Sequence, residues 1–243
     1  MRNIDLYQHD YLDNPFEEHL IACRHKKAAE VMATKKARHI LEIGCGLKPI
    51  YRYYDDYSTL TIIEPSTLFV EKLRGDQPHS VRWINDELKV DHIQDLAGQF
   101  DFIAVSSLLH ELDDPEALLR TVAEIAAPRT SIHINVPNAN SFHRLLAQEM
   151  GLIADVFELS ERQVRFQQSS TFDIATLTDL VERCGLSIEE SGSLFMKPFT
   201  HRQMQEMLNT NTIDARVIDG LSTLTKHFPD HGAELYLNAS KNR

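Results

Sequence analysis

Apolar positions recur along this chain with two periods. Short runs rich in β-branched residues read as strands: ARHILEIG (37–44), LTIIEP (60–65), VRWIN (81–85), FDFIAVSS (100–107) and TSIHINVP (130–137). Helical spacing fills the gaps between them. In DDPEALLRTVAEIAAP an acidic first turn, apolar residues at Leu118, Leu119, Val122 and Ile125, and Pro128 past the end define a crossover helix. TLTDLVERCGL repeats the pattern, with Gly185 as the expected C-cap before another strand, LSIEESGSLF. AELYLNAS supplies a last strand, expected to run antiparallel. The alternation predicts an α/β fold, a mostly parallel sheet with helices on both faces.

Three stretches depart from this rhythm. Residues 1–36 are helical in pattern and read as an N-terminal lid, residues 37–137 as the sheet-forming core, and 199–229 as helical again before the last strand. Residues 138–173 form an insertion after the fifth strand, where open α/β sheets commonly build a substrate pocket. With 174–243 as the remaining sheet and helices, the whole of 1–243 is expected to be a single domain.

Composition narrows the function classes. The 243 residues, 42% hydrophobic, suffice for a full core. Asp and Glu number 36 against 25 Lys and Arg, a net charge of -11, which argues against nucleic acid and anionic lipid surfaces as partners. No run approaches the roughly 18 apolar residues of a membrane span. The first twenty residues carry acids where a secretion signal needs an apolar core, so a cytoplasmic location is expected. Cys23, Cys45 and Cys184 are widely spaced and read as reduced, packed thiols, and no His and acidic cluster has metal-ligand spacing.

The chemistry concentrates at strand ends. Glu42-Ile43-Gly44-Cys45-Gly46 is a glycine turn after the first strand, where main chain can approach a ligand closely. A dinucleotide site would place a third glycine at position 49, which is Pro49. Glu42 suits a cationic or amine-bearing ligand better than a pyrophosphate. Glu64 ends the second strand roughly twenty residues after the glycines, where a ribose-binding acid belongs. Asn85 and Asp86 follow the third strand, and Ser106, Ser107, His110 and Glu111 follow the fourth.

In this order and spacing the motifs LEIGCG, TIIEPS and FDFIAVSSLLHELDDPEALL resemble those of class I S-adenosylmethionine-dependent methyltransferases, over about residues 37–137. The resemblance implies a Rossmann-like, seven-stranded sheet and S-adenosyl-L-methionine as cofactor. Carried over by position, Gly44, Cys45 and Gly46 lie under the methionine part and Glu64 binds ribose. Asp86 contacts adenine, Glu42 anchors the turn near the cofactor's ammonium, and Ser106 closes the site from the fourth strand. Lys48 stands where many members have a last glycine. NVPNANSFHRLLAQEMGLI and GSLFMKPFTHRQM are similar to a bacterial small-molecule subgroup related to ubiquinone-biosynthesis and sugar methyltransferases. That implies O-methylation of a sugar or related hydroxylated metabolite.

On the acceptor side, His143 and His110 are the candidate general bases, and His133 sits among apolar strand positions as a lesser one. Arg144 and Asn138 open the insertion as candidate acceptor contacts, while Lys197, His201 and Arg202 suit an acidic acceptor. Tyr7 and Tyr11 are placed to cover a sulfonium with aromatic faces, and Arg24 to pair with the cofactor carboxylate. Competing readings are a non-catalytic cofactor-binding partner protein and an NAD-dependent Rossmann enzyme. The expected partner is a small-molecule acceptor, with a homodimer left open.

Overall fold

The computed structural model describes residues 16–78, 80–160, 163, 164 and 168–242. In chain order they form α1 (Glu17–Lys35), β1 (His39–Ile43), β2 (Thr59–Ile63), α2 (Thr67–Arg74), β3 (Val81–Ile84), α3 (Ile93–Leu96), β4 (Phe102–Ser106) and α4 (Pro115–Ile125). There follow β5 (Ser131–Pro137), α5 (Phe142–Glu149), α6 (Ile174–Arg183), β6 (Leu186–Leu194), α7 (His201–Asn209), α8 (Ala215–Thr223) and β7 (Glu234–Lys241).

The sheet has seven strands in the order β3-β2-β1-β4-β5-β7-β6. The first five pair in parallel, and β7 runs antiparallel between β5 and β6. The last strand of the sequence is therefore interior, and β6 holds the edge. Strand order reverses between β1 and β4, so the carboxyl ends there open a crevice for a ligand. Because β7 is antiparallel, its first residue, Glu234, pairs with Pro137 at that same edge.

Helix ends follow local chemistry. Asp114 accepts from Ala117 N at 2.9 Å ahead of Pro115 in α4, and Asp173 with Thr176 forms a capping box on α6. Cys184 caps α6, and Gly185 just beyond takes φ +78, the left-handed conformation that ends a helix.

Strand alternation divides the interior. Leu41, Ile43, Ile103, Val105, Ile132 and Ile134 pack in one apolar cluster with α4 and α6. Ile40, Phe102 and Ala104 pack in a second cluster with Ala28, Val31 and Met32 of α1. On β5 the α1 side carries His133 and Asn135, which are polar and fully buried. On the same side α1 presents Arg24 and His25, both buried, and Lys27, which lies over the Tyr236 ring of β7.

Candidate active site

The glycine turn is held by carboxylates from two strands. Gly44 and Gly46 adopt φ +75 and +55, and Gly44 N donates to Ile63 O at 2.9 Å. A Cβ on Gly44 would meet Leu108 Cδ2 at an ordinary 3.5 Å, so conformation rather than space requires glycine there. Glu42, buried, accepts from Ile50 N with both oxygens at 3.1 and 3.0 Å, fixing the single-turn helix Ile50–Arg52 that follows Pro49. Glu64 accepts from Gly46 N at 3.0 Å and from Ser66 N at 2.9 Å, which ties the turn to the end of β2. Asn85 donates to Glu64 O at 2.9 Å, adding β3 to the brace. Asp86 points to the exterior: Lys89 Nζ donates to it at 2.6 Å, and that bond holds its carboxyl below the usual range.

A chain of polar contacts crosses from β4 to α7. Ser106 Oγ and Ser107 N donate to Asn135 Oδ1 at 2.7 and 2.9 Å, and Asn135 Nδ2 donates to Glu234 Oε2 at 3.0 Å. Ser107 takes φ +53 to reach this position. Arg24 Nη1 donates to Glu234 Oε1 at 3.1 Å and to Glu17 Oε1 at 2.9 Å. Lys197 Nζ has only protons to give, so it donates to His201 Nδ1 at 3.1 Å, and His201 Nε2 donates to Glu17 Oε2 at 3.0 Å. Burial raises the Glu234 carboxyl from 4.5 to about 7 despite the lowering influence of Arg24.

These elements enclose a cavity of about 660 Å³, within the range of small-molecule sites. Its wall runs from Gly44, Cys45 and Gly46 past Ser106 and His110 to His143, Lys197 and Glu234. His110 and His143 both line the cavity, and histidine is a side chain able to move protons near neutral pH. The insertion supplies the outer wall, organised by Arg144, whose Nε donates to Val156 O at 2.8 Å and Nη1 to Gln163 Oε1 at 2.9 Å.

Several expected contacts change character. Glu42 lies behind the turn, off the cavity wall, and Glu64 and Asp86 are likewise outside the lining. Arg24 lines the cavity and is engaged by two carboxylates of the chain, Glu17 and Glu234. Asn138 donates its amide to Asp230 O and Gly232 O at 2.9 and 2.8 Å and accepts from Asn140 N at 2.9 Å, so it positions the insertion while also lining the cavity. Arg144 lines the cavity as well, with its guanidinium bonded inside the insertion. His133 is buried away from the cavity, bonded to Asn238 Oδ1 at 2.7 Å. Tyr7 and Tyr11 lie outside the described residues. The sequence reading missed Glu17, His25, Asn135 and Glu234; its one signal was polar His133 and Asn135 alternating with apolar Ile132, Ile134 and Val136.

The sequence profile of a methyltransferase domain matches residues 16–191. The chain belongs to the methyltransferase-domain family. As a class I methyltransferase it uses S-adenosyl-L-methionine, and the NAD-dependent alternative is set aside. No curated protein sequence matches it. Among solved structures, the methyltransferase fold is shared with an S-adenosylmethionine-dependent methyltransferase from Mesorhizobium loti at 15% identity and TM-score 0.54, over 84% of this chain and 91% of that one. The plantazolicin methyltransferase BamL, solved with a desmethyl analogue and SAH, aligns at 16% identity and TM-score 0.60, over 94% and 89%. The [4+2]-cyclase SpnF aligns at 14% identity and TM-score 0.58, over 89% and 81%.

The residues of this methyltransferase fit its donor. Two left-handed glycines form a cradle at the switch point, and bonds to Gly46 N and Ser66 N orient the Glu64 carboxylate at the end of β2. Among the described residues no group of three or more His, Cys, Asp or Glu is placed to hold a metal, and no helix is long and apolar enough to cross a membrane.

Proposed function

We propose that this methyltransferase transfers the methyl group to a polar small molecule, a sugar or related hydroxylated metabolite, bound in the half of the cavity lined by His110, His143, Lys197 and His201. One observation carries this reading: a single cavity joins the glycine turn to that ionisable wall. When bound, the donor supplies a methyl group on a sulfonium that is already reactive toward oxygen and nitrogen nucleophiles.

The chain's own task is placement and proton removal. Gly44 and Gly46 let main chain pass beneath the methionine part, Cys45 forms the floor between them, and Glu64, bonded to Gly46 N and Ser66 N, sets the end of β2 on the ribose side. Ser106, fixed by Asn135, sets the end of β4 beside the transfer point. His143 at the start of α5, or His110 after β4, takes the acceptor's proton, and the insertion braced by Arg144 keeps water out. Lys197 and His201, presented at the head of α7, complement an acceptor that carries an acidic group.

The test begins with calorimetric titration of the full chain with S-adenosylhomocysteine and NAD, with Gly44→Arg as control and circular dichroism as its folding check. Selective S-adenosylhomocysteine binding, lost in a folded Gly44→Arg, supports the site; NAD binding alone overturns it. S-adenosylhomocysteine release is then measured with hydroxylated sugars and with amines. Turnover of sugars supports the proposed acceptor class, whereas turnover of amines alone overturns it. With an active acceptor, unchanged rates in both His110→Ala and His143→Ala exclude a histidine base and leave positioning as the source of catalysis.

A further inference from the structure

His25 lies on α1 and lines the cavity beside Cys45 and Gly46. Its Nδ1 is 2.9 Å from Ile21 O. A carbonyl only accepts, so Nδ1 carries a proton, and in the neutral ring Nε2 presents a lone pair. The ring stacks on Tyr53, centroids 4.8 Å apart and planes at 26°, which fixes the direction of that lone pair. Nε2 is buried and has no hydrogen-bond partner among the described residues. The charged group nearby is another acceptor: Glu42 Oε1 stands 3.9 Å from Nε2, and both Glu42 oxygens already accept from Ile50 N.

A buried acceptor without a donor is costly, and next to a carboxylate the group best suited to supply that donor is a cationic N–H. The methyl donor carries one such group, the α-ammonium of its methionine part. Its ribose and adenine carry no positive charge. Resting on the cofactor assignment above, we infer that His25 Nε2 accepts a hydrogen bond from that α-ammonium, with Glu42 behind it as the electrostatic counterpart. His25 then discriminates ligands that bear the amino group from nucleosides that lack it.

The test uses the full chain, titrated calorimetrically with S-adenosylhomocysteine, decarboxylated S-adenosylmethionine and 5′-methylthioadenosine. The first has both ammonium and carboxylate, the second the ammonium alone, and the third neither. His25→Phe keeps a ring against Tyr53 and removes the lone pair; His25→Gln restores an acceptor. In His25→Phe, affinity for the first two falls roughly 10- to 100-fold while that for 5′-methylthioadenosine is unchanged, and His25→Gln recovers part of the loss. Equal loss for all three ligands would make His25 a packing residue only. Loss confined to S-adenosylhomocysteine would assign the carboxylate instead, and no loss would remove His25 from the site; each of these overturns the inference. Wild-type protein binding none of the three overturns the cofactor assignment itself, a result read before any variant is made.

Discussion

Arg24 and Glu234, 210 residues apart in the sequence, meet at 3.1 Å in the interior and join the first described helix to the last strand. Removing the guanidinium leaves Glu234 buried without its cation. Arg24→Ala is expected to lower stability by about 3–5 kcal/mol at pH 8, read from urea unfolding. Adding Glu234→Gln should recover part of that loss, because the stranded charge is gone. A double variant no more stable than Arg24→Ala would mean that the pair's electrostatics contribute little.

Glu234 also gives stability a pH slope. Its folded value, about 7 against 4.5 in the free side chain, means the native state binds the extra proton in that window. Its contribution is full below pH 4.5 and is lost as pH rises through 7. Between pH 5 and 8, wild type should lose on the order of 3 kcal/mol relative to Glu234→Gln. Denaturant midpoints of the two proteins across that range check the sign directly.

His133 tilts the opposite way. Burial lowers its ring from 6.5 to about 4, so the unfolded chain takes up the proton first. Its contribution is present above pH 6.5 and is lost as pH falls toward 4. In a histidine NMR titration its ring should stay neutral from pH 8 down to pH 5, without the midpoint near 6.5 of an exposed histidine. A midpoint near that ordinary value would contradict the buried placement beside Asn238.

Arg144→Ala removes the bonds to Val156 O, Glu158 O and Gln163. The expected cost is about 1–3 kcal/mol, concentrated in the insertion. Faster proteolysis and hydrogen exchange around Val156–Ser160, with protection of β4 and β5 unchanged, would report it. Uniform loss of protection would show instead that the insertion is coupled to the whole sheet.

The first five strands were legible because each is a short run rich in β-branched and apolar residues bounded by turn residues, whereas β6, LSIEESGSL, was marked by the Gly185 helix stop before it. Period two also placed Leu41 and Ile43 opposite Ile40, as the two apolar clusters require. The place of the glycine turn and of Glu64 was readable for a related reason: both sit at strand ends, which the pattern marks. The bonds that Asn138 and Arg144 make within the fold were not. Polar residues in an insertion look alike in sequence whether they contact a ligand or hold main-chain carbonyls.

The sequence by itself determined the order of elements, the left-handed glycine turn and the family, since these depend on local conformation and spacing. Tertiary structure decided that β7 enters between β5 and β6, bringing Glu234 to the carboxyl edge of the sheet. It also decided that the polar side of β5 faces α1, so that Arg24, His25, Asn135 and Glu234 share one site. No period records those encounters. Buried polar groups seek partners across the fold, and the partner's place in the chain leaves no trace in the pattern around either residue.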